Sequence, residues 1–138
     1  PDAVAVVNPK RPDCGYPFKD LPGVALAFKL ADAVYRREGI DPTPVYNNLD
    51  LVALGCAADI VPLVGENRVL VTYGLERMQR TGNPGLQALL KNLNLAGKRL
   101  ETEQLIFVLA PRINALGRIA EVLEHQNRKR REIDEQML

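Results

Sequence analysis

The stretch from Asn48 to Leu63 carries the first candidate for chemistry, because it sets the acid Asp59 among apolar neighbours. Asp50 and Asp59 frame eight residues that are all apolar or small, Leu51 to Ala58. Burying a carboxylate in such surroundings costs several kcal/mol unless a metal ion or a hydrogen-bond donor compensates it. One interpretation is an acid held at a metal or phosphate site. The commoner alternative is an N-cap or a helix-end acid bonded to nearby backbone N–H groups, and the pattern leaves both interpretations open.

Small residues lie just before Asp59. Gly55 and the three small residues that follow it would let another backbone or a ligand approach closely. Pro62 is expected to end the regular element that contains these small residues. The pattern therefore predicts a tightly packed element with the acid at its end.

A second group of candidates lies between Pro111 and Arg118, where two arginines and one amide flank apolar residues. The guanidinium groups of Arg112 and Arg118 suit bidentate contacts to phosphate oxygens. Asn114 can bond a phosphate oxygen or brace a metal ligand. The residues alone equally permit a helix that is interrupted at Pro111 and carries ordinary surface arginines.

Length and composition limit the classes of protein that fit this sequence. The 138 residues suffice for one domain with a core, and the net charge of +1 means that any nucleic-acid site must be local. Apolar runs such as Leu105–Ala110 are too short to span a bilayer, and no signal peptide is visible. Cys14, Cys56 and the single His125 are far apart, which favours neither a zinc site nor a disulfide framework. A soluble cytoplasmic protein without a membrane partner is the default expectation.

Hydrophobic periodicity predicts one strand and several helices that position these side chains. The strand is the valine-rich Pro1–Val7, and a proline-rich loop follows at residues 10–22. A helix is predicted over Gly23–Glu38, with its apolar face in the core and Gly39 as its cap. Further helices are predicted over residues 46–57, 66–80, from 86, over 102–109 with Thr102 as N-cap, and from about 120.

Two basic segments could contact nucleic acid. Lys10, Arg11 and Lys19 make the loop at residues 10–22 positive, although a solvated loop is the commoner outcome. Arg128–Arg131 lies on the last predicted helix, where neighbouring acids offer partners three and four residues away. A solvated helix face is therefore favoured there over a nucleic-acid patch.

Three stretches resemble motifs of one protein family. Asp50–Leu63, followed by Glu66-Asn67-Arg68, is similar to the fourth motif of the DHH phosphoesterases, and in particular of the RecJ family. Val7–Arg11 with Tyr16–Ala25 resembles the segment that follows the DHH triplet in that family. Ala110–Arg118 closely resembles the family signature APRINAAGR, with Leu116 where the family usually has a small residue. The resemblance covers nearly the whole chain in the family's order.

The resemblance implies an α/β fold with a parallel sheet. Residues 1–118 would be the later, helix-rich half of the DHH catalytic domain. Residues 119–138 would be part of the long helix that leads to a DHH-associated domain. The remaining strands, the DHH triplet and the earlier metal-binding acids would lie upstream. The abrupt step from Arg118 to Ile119 implies a deletion or a missing loop, of which the missing loop is favoured.

The resemblance also implies a function. It is that of a 5′ to 3′ exonuclease specific for single-stranded DNA, which acts in DNA repair and recombination and uses two Mn²⁺ or Mg²⁺ ions. By this resemblance Asp59 would be a catalytic metal ligand, Arg112 and Arg118 would offset phosphate charge, and Asn114 would support them. Implied partners are single-stranded DNA, a single-strand-binding protein and a helicase. The segment alone is expected to be inactive.

Two alternatives stay open. Other DHH phosphodiesterases hydrolyse oligoribonucleotides or cyclic dinucleotides. A non-catalytic RecJ-like replication scaffold would keep the fold but lack the upstream acids and histidines.

Overall fold

Helices make up the regular secondary structure of residues 3–115, 117 and 124, which are the residues that the structure, a computed structural model, describes. They are α1 (Gly23–Arg37), α2 (Thr43–Tyr46), α3 (Leu49–Ala58), α4 (Gly65–Met78), α5 (Pro84–Asn92) and α6 (Thr102–Gln104). α6 continues into a π-helical turn at Leu105–Leu109, and α-helical geometry resumes over residues 110–115. No helix in these ranges is both long and apolar enough to cross a membrane.

The helices predicted from periodicity are confirmed, with shifted ends. α1 ends at Arg37 with Glu38 as its C-cap residue. The helix predicted over residues 46–57 is divided into the short α2 and the longer α3. The helix predicted from about residue 120 lies outside the described residues.

The N-cap of α6 is Glu101, so the prediction of Thr102 is wrong by one residue. The Glu101 carboxylate accepts a hydrogen bond from the Gln104 backbone N–H. In return the Glu101 N–H donates to Gln104 Oε1 at 3.0 Å. This reciprocal pair is a capping box, and it satisfies two backbone donors where a Thr102 cap would satisfy one.

The strand predicted at Pro1–Val7 is wrong for residues 3–7, which form no strand. Val4, Val6 and Val7 are exposed. A strand needs a neighbouring strand to bond its backbone N–H and C=O groups, and the described residues contain none. The parallel sheet of the expected α/β fold is therefore absent from the described part of the chain, which is helical.

α3 lies at the centre of the helical packing. It contacts α1, α4 and the π-helical turn. A Cβ added at Gly55 of α3 would lie 2.6 Å from Cγ1 of Val24 in α1. A Cβ added at Gly74 of α4 would collide with the Ala53 Cβ and the Leu49 carbonyl of α3. The expectation that the small residues of this stretch admit another element closely is confirmed.

The core combines apolar side chains from α1, α3, α4, α5, the π-helical turn and their connections. Its buried members are Leu21, Ala25, Val52, Ala53, Leu54, Cys56, Ala57, Val71, Leu75, Met78, Leu86, Leu90, Leu100, Leu105, Leu109 and Ala110. Burying one such leucine contributes about 1.5–3 kcal/mol. The apolar face of α1 is only partly in this core, because Leu30 and Val34 are exposed. The prediction that this face lies in the core is wrong for Leu30, Val34 and Ala27, which is also exposed.

One interpretation of the sequence predicted that Pro111 interrupts the last helix. That prediction is wrong, because the helix continues through Pro111. Proline lacks the N–H that would donate to the carbonyl of residue 107. The helix widens just before it, where the Ala110 N–H donates to the Leu105 carbonyl five residues earlier. The chain then continues as an α-helix to residue 115.

Candidate functional site

Asp59 lies at the C-terminal end of α3, as its C-cap residue, and is exposed. The expected burial of this acid is therefore wrong. The buried acid is Asp50 in the first turn of α3, at 2% exposure. Its carboxylate accepts hydrogen bonds from the Thr81 hydroxyl at 2.5 Å and from the Leu51 N–H at 2.8 Å, which offset its desolvation. Asp59 is thus the acid of this stretch that faces solvent.

The position of Asp59 favours a bound cation. The C-terminal end of a helix carries about half a negative charge, because its last carbonyl groups lack intrahelical partners. The last turn of α3 contains no basic residue, so the Asp59 carboxylate adds to this negative end. By itself this arrangement costs about 0.3–1 kcal/mol. A divalent cation would convert both the helix end and the carboxylate into favourable contacts.

The turn after Asp59 closes α3 with two backbone hydrogen bonds. The Val61 N–H donates to the Cys56 carbonyl at 3.3 Å, and the Ile60 N–H donates to the Ala57 carbonyl at 3.2 Å. This pair is a Schellman motif, which requires one residue with left-handed backbone geometry. Ile60 is that residue, with φ of 53°.

Isoleucine is an unfavourable residue for this position. α1 and α5 end in the same motif, but there the left-handed residues are Gly39 and Asn94, with φ of 68° and 55°. Left-handed geometry is readily adopted by glycine and tolerated by asparagine, whereas it costs a β-branched residue roughly 1–2 kcal/mol. Strain of this kind is concentrated at functional sites. The strained residue here directly follows Asp59.

Replacing Ile60 with glycine is expected to stabilise the protein by about 1 kcal/mol, after the greater flexibility of unfolded glycine is subtracted. Little burial is lost, because Ile60 is 83% exposed. The matched control is Gly39→Ile, where an added Cβ meets no atom within 4 Å and only the backbone geometry resists. This control should lower stability by about 1 kcal/mol, because the same difference in unfolded-state flexibility offsets part of the strain. Thermal unfolding of the full-length protein measures both, and a lowered midpoint for Ile60→Gly would contradict the strain at Ile60.

Asn114 joins the last helix to the end of α3. Its Nδ2 donates to the carbonyl of Ala58 at 3.2 Å, across 56 residues of sequence. Ala58 directly precedes Asp59, and its carbonyl is one of those that a helix end leaves without an intrahelical partner. A groove of about 540 Å³ lies beside this contact, between the end of α3, the π-helical turn and residues 110–115. The structure thus brings the two candidate stretches of the sequence together.

A second polar cluster connects three distant segments. The Tyr16 hydroxyl donates to both carboxylate oxygens of Glu66, at 2.7 and 2.9 Å, and Lys29 Nζ lies 2.6 Å from Glu66 Oε2. Burial acts to raise the pKa of Glu66, but the hydrogen bonds from Lys29 and Tyr16 outweigh it and lower the pKa below its ordinary value of 4.5. The cluster ties α4 to α1 and to the loop before α1. Spacing along the sequence gives no signal for it, since its members are 13 to 50 residues apart.

The contribution of Glu66 to stability is expected to vanish in acid. Because its pKa is lower in the folded state, the contribution is complete above the ordinary value of 4.5 and is lost as the pH falls through the folded value. Glu66→Gln should lower the free energy of unfolding at neutral pH by at most about 1 kcal/mol, since both charged side chains remain about a third exposed and are screened. Urea unfolding at neutral pH and at about pH 3 gives the difference. An equal difference at both pH values would contradict the ion pair.

The loop at residues 10–22 uses two of its three basic side chains internally. Arg11 pairs with Asp13 at 2.6 Å. Lys19 Nζ donates to the Cys14 carbonyl at 2.5 Å. A solvated loop with one internal ion pair and one hydrogen bond to the backbone accounts for this segment, and contact with phosphate stays a prediction.

Most of this chain is similar in sequence to known proteins. No protein-family model matches it. The single-stranded-DNA-specific exonuclease RecJ of Bacillus subtilis is 49% identical over 119 residues, which are 86% of this chain and 14% of that protein. The protein of the same name from Salmonella typhimurium is 42% identical over 130 residues, with 86% of this chain and 22% of its own length covered. This chain is RecJ-like.

A solved structure supports the same assignment. The RecJ-like chain matches the crystal structure of RecJ in complex with Mg²⁺ from Thermus thermophilus with a TM-score of 0.66 and 36% identity. The match covers 80% of this chain and 17% of that one. The chain therefore spans between 14% and 22% of the length of the curated relatives named above.

Of the two arginines in the RecJ-like signature, Arg112 is among the described residues and Arg118 is not. The Arg112 guanidinium donates to the Val108 carbonyl of its own helix at 2.6 Å, and the residue is exposed. The expected contact of these arginines with phosphate stays a prediction.

The described residues of the RecJ-like chain do not form a complete metal site. Within them, no three His, Cys, Asp or Glu residues lie close enough together to bind a metal ion. An exposed carboxylate at a negative helix end fits a single oxygen ligand of a hard divalent cation. Cys56 is no alternative, because burial raises the pKa of its thiol to about 11 and keeps it protonated at neutral pH.

Proposed function

We propose that the full-length protein is a metal-dependent exonuclease that digests single-stranded DNA from its 5′ end. The contact between Asn114 and the Ala58 carbonyl carries the proposal. It joins the stretch that resembles the APRINAAGR signature to the helix end that carries Asp59. The names of the similar RecJ proteins supply the substrate class.

Asp59 is the proposed metal ligand of this segment. Its carboxylate is an oxygen ligand at the negative end of α3, which suits Mg²⁺ or Mn²⁺. When bound, such a cation would offset charge on the phosphate and lower the pKa of a bound water. The remaining ligands are proposed to lie upstream of this chain, in agreement with the incomplete set among the described residues. The RecJ structure with Mg²⁺ supports the use of a divalent cation.

The residues of the last helix take supporting roles in this proposal. Asn114 braces the end of α3, because its amide donates to the backbone there. Arg112 is exposed and bonded only to a carbonyl of its own helix, so it can turn to a phosphate at the cost of one hydrogen bond. Arg118 is proposed to act beside it. Residues 1–118 are then the later part of a catalytic domain, and residues 119–138 part of a connecting helix.

Digestion of labelled single-stranded DNA by the full-length protein tests this function. With Mg²⁺ or Mn²⁺ present, a label at the 5′ end should be released first, and duplex DNA of the same sequence should stay intact. Faster hydrolysis of short oligoribonucleotides or cyclic dinucleotides would identify another DHH phosphodiesterase. Binding of DNA without hydrolysis at any concentration of either metal would identify a scaffold.

A further inference from the structure

Asn67 is the most deeply buried polar side chain near the Asp59 turn, with an exposure of 0%. It lies in the first turn of α4. Its Nδ2 donates to the Asp20 carbonyl at 2.8 Å and to the Pro62 carbonyl at 3.0 Å. Both hydrogens of one amide are therefore used to hold two separate loops.

The two loops meet near the candidate site. Pro62 is three residues after Asp59, in the connection between α3 and α4, and Asp20 is three residues before the start of α1. Residues with left-handed backbone geometry lie on both sides of Pro62: Ile60 in the connection between α3 and α4, and Gly65 at the first position of α4. The Asn67 amide fixes the middle of this connection to α4 and to the loop before α1.

The chemistry of this contact selects an amide. Asn67 Oδ1 is buried and has no hydrogen-bond partner among the described residues, so the side chain serves through its two donors. A carboxylate would place negative charge against two carbonyl oxygens, and an apolar side chain would leave both carbonyls without a partner. A hydroxyl could satisfy only one of them.

We propose that Asn67 is a positioning residue that holds the Asp59 carboxylate in place for a divalent cation. The proposal rests on the proposed function. It adds a role for a side chain that contacts neither the cation nor the substrate and acts through the Pro62 carbonyl. Asn67 reduces the motion of the turn before the cation binds, which lowers the cost of ordering the ligand.

The test compares Asn67→Ser with a matched control in the full-length protein. Thr81→Val is the control, because it removes a different buried hydrogen bond, from Thr81 to Asp50, at the end of α3 that is remote from Asp59. Asn67→Ser should raise the dissociation constant for Mg²⁺, measured by calorimetry with the metal alone, by about 10-fold, as expected when the support of a ligand is lost. It should also speed amide hydrogen exchange at Ile60 and Val61 in the metal-free protein by about 10-fold. Thr81→Val should lower the thermal midpoint and change neither value.

Three results would overturn the proposal. The first is an unchanged Mg²⁺ affinity and unchanged exchange in Asn67→Ser. The second is an equal change in Thr81→Val, which would mean that general destabilisation is responsible. The third is failure of both Asn67→Ser and Asn67→Asp to fold under conditions where Thr81→Val folds, which would make Asn67 a residue of the whole fold.

Asp59→Asn separates this proposal from the proposed function. If Asp59→Asn binds Mg²⁺ as the wild type does, Asp59 is not a ligand and the proposed function loses its site. The exchange rates at Ile60 and Val61 need no metal, so they still report whether Asn67 holds the turn. If Asp59→Asn loses the metal and Asn67→Ser does not, only the positioning role fails.

Discussion

Full-length protein that carries Asp59→Asn is expected to lose metal-dependent digestion of single-stranded DNA by about 1000-fold or more. Loss of one ligand removes several kcal/mol of stabilisation from the developing charge, and each 1.4 kcal/mol is tenfold in rate. The fold should persist, because Asp59 is exposed at the end of α3. The metal-free variant should even gain about 0.5 kcal/mol, since a negative charge leaves a negative helix end. Rates in Mg²⁺ and thermal unfolding in a chelator measure the two effects.

Glu38 offers a matched control for this substitution. It is the exposed C-cap residue of α1, as Asp59 is of α3, so Glu38→Gln removes a charge from an equivalent position. Its rate of digestion should equal that of the wild type. Equal rates for Asp59→Asn and the wild type would refute the ligand role, and equal losses in both variants would attribute the effect to helix-end charge.

Gly74→Ala is expected to destabilise the protein by about 3 kcal/mol or more. The added methyl group would collide with the Ala53 Cβ and with the Leu49 carbonyl of α3, and a backbone oxygen inside a helix cannot turn aside. Helix propensity favours alanine over glycine by only about 0.5–1 kcal/mol, which is too little to compensate. Urea unfolding of the full-length protein gives the loss, and hydrogen exchange should show it in both α3 and α4.

Two further variants sharpen this prediction. Gly23→Ala lies in a helix where an added Cβ meets no atom within 4 Å, so it should change stability by less than about 1 kcal/mol. Ala53→Gly combined with Gly74→Ala removes one of the two collisions and should restore part of the loss. A stable Gly74→Ala protein would show that α3 and α4 do not pack against each other this closely. Complete restoration by Ala53→Gly would contradict the collision with the Leu49 carbonyl.

The positions of the helices could be predicted from the sequence because their signals are local. Apolar spacing and Gly39 identified α1, and proline and glycine clusters separated α3, α4 and α5. The prediction of a strand at Pro1–Val7 was wrong for residues 3–7 for the opposite reason. A strand depends on neighbouring strands, and the described residues contain none.

The sequence named Asp59 and Asn114 as candidates, and the structure brings their segments together through the Ala58 carbonyl, while their roles stay predictions. Burial was assigned to the wrong acid: Asp50 is buried because Thr81, 31 residues away, donates to it. The roles of Asn67 and of the Tyr16–Glu66–Lys29 cluster depend on contacts across as many as 50 residues. Such contacts leave no local pattern in a single sequence.

The π-helical turn at Leu105–Leu109 is equivalent to one residue inserted into the last helix. Each residue of an α-helix advances about 100°, so the insertion turns the side chains of residues 110–115 by about that angle relative to α6. Asn114 reaches the Ala58 carbonyl only in the turned register. Deleting one residue from this turn would leave the sequence Ala110–Arg118 unchanged. It would still rotate the Asn114 amide away from α3. In this chain, the spacing upstream of the motif therefore matters as much as the motif.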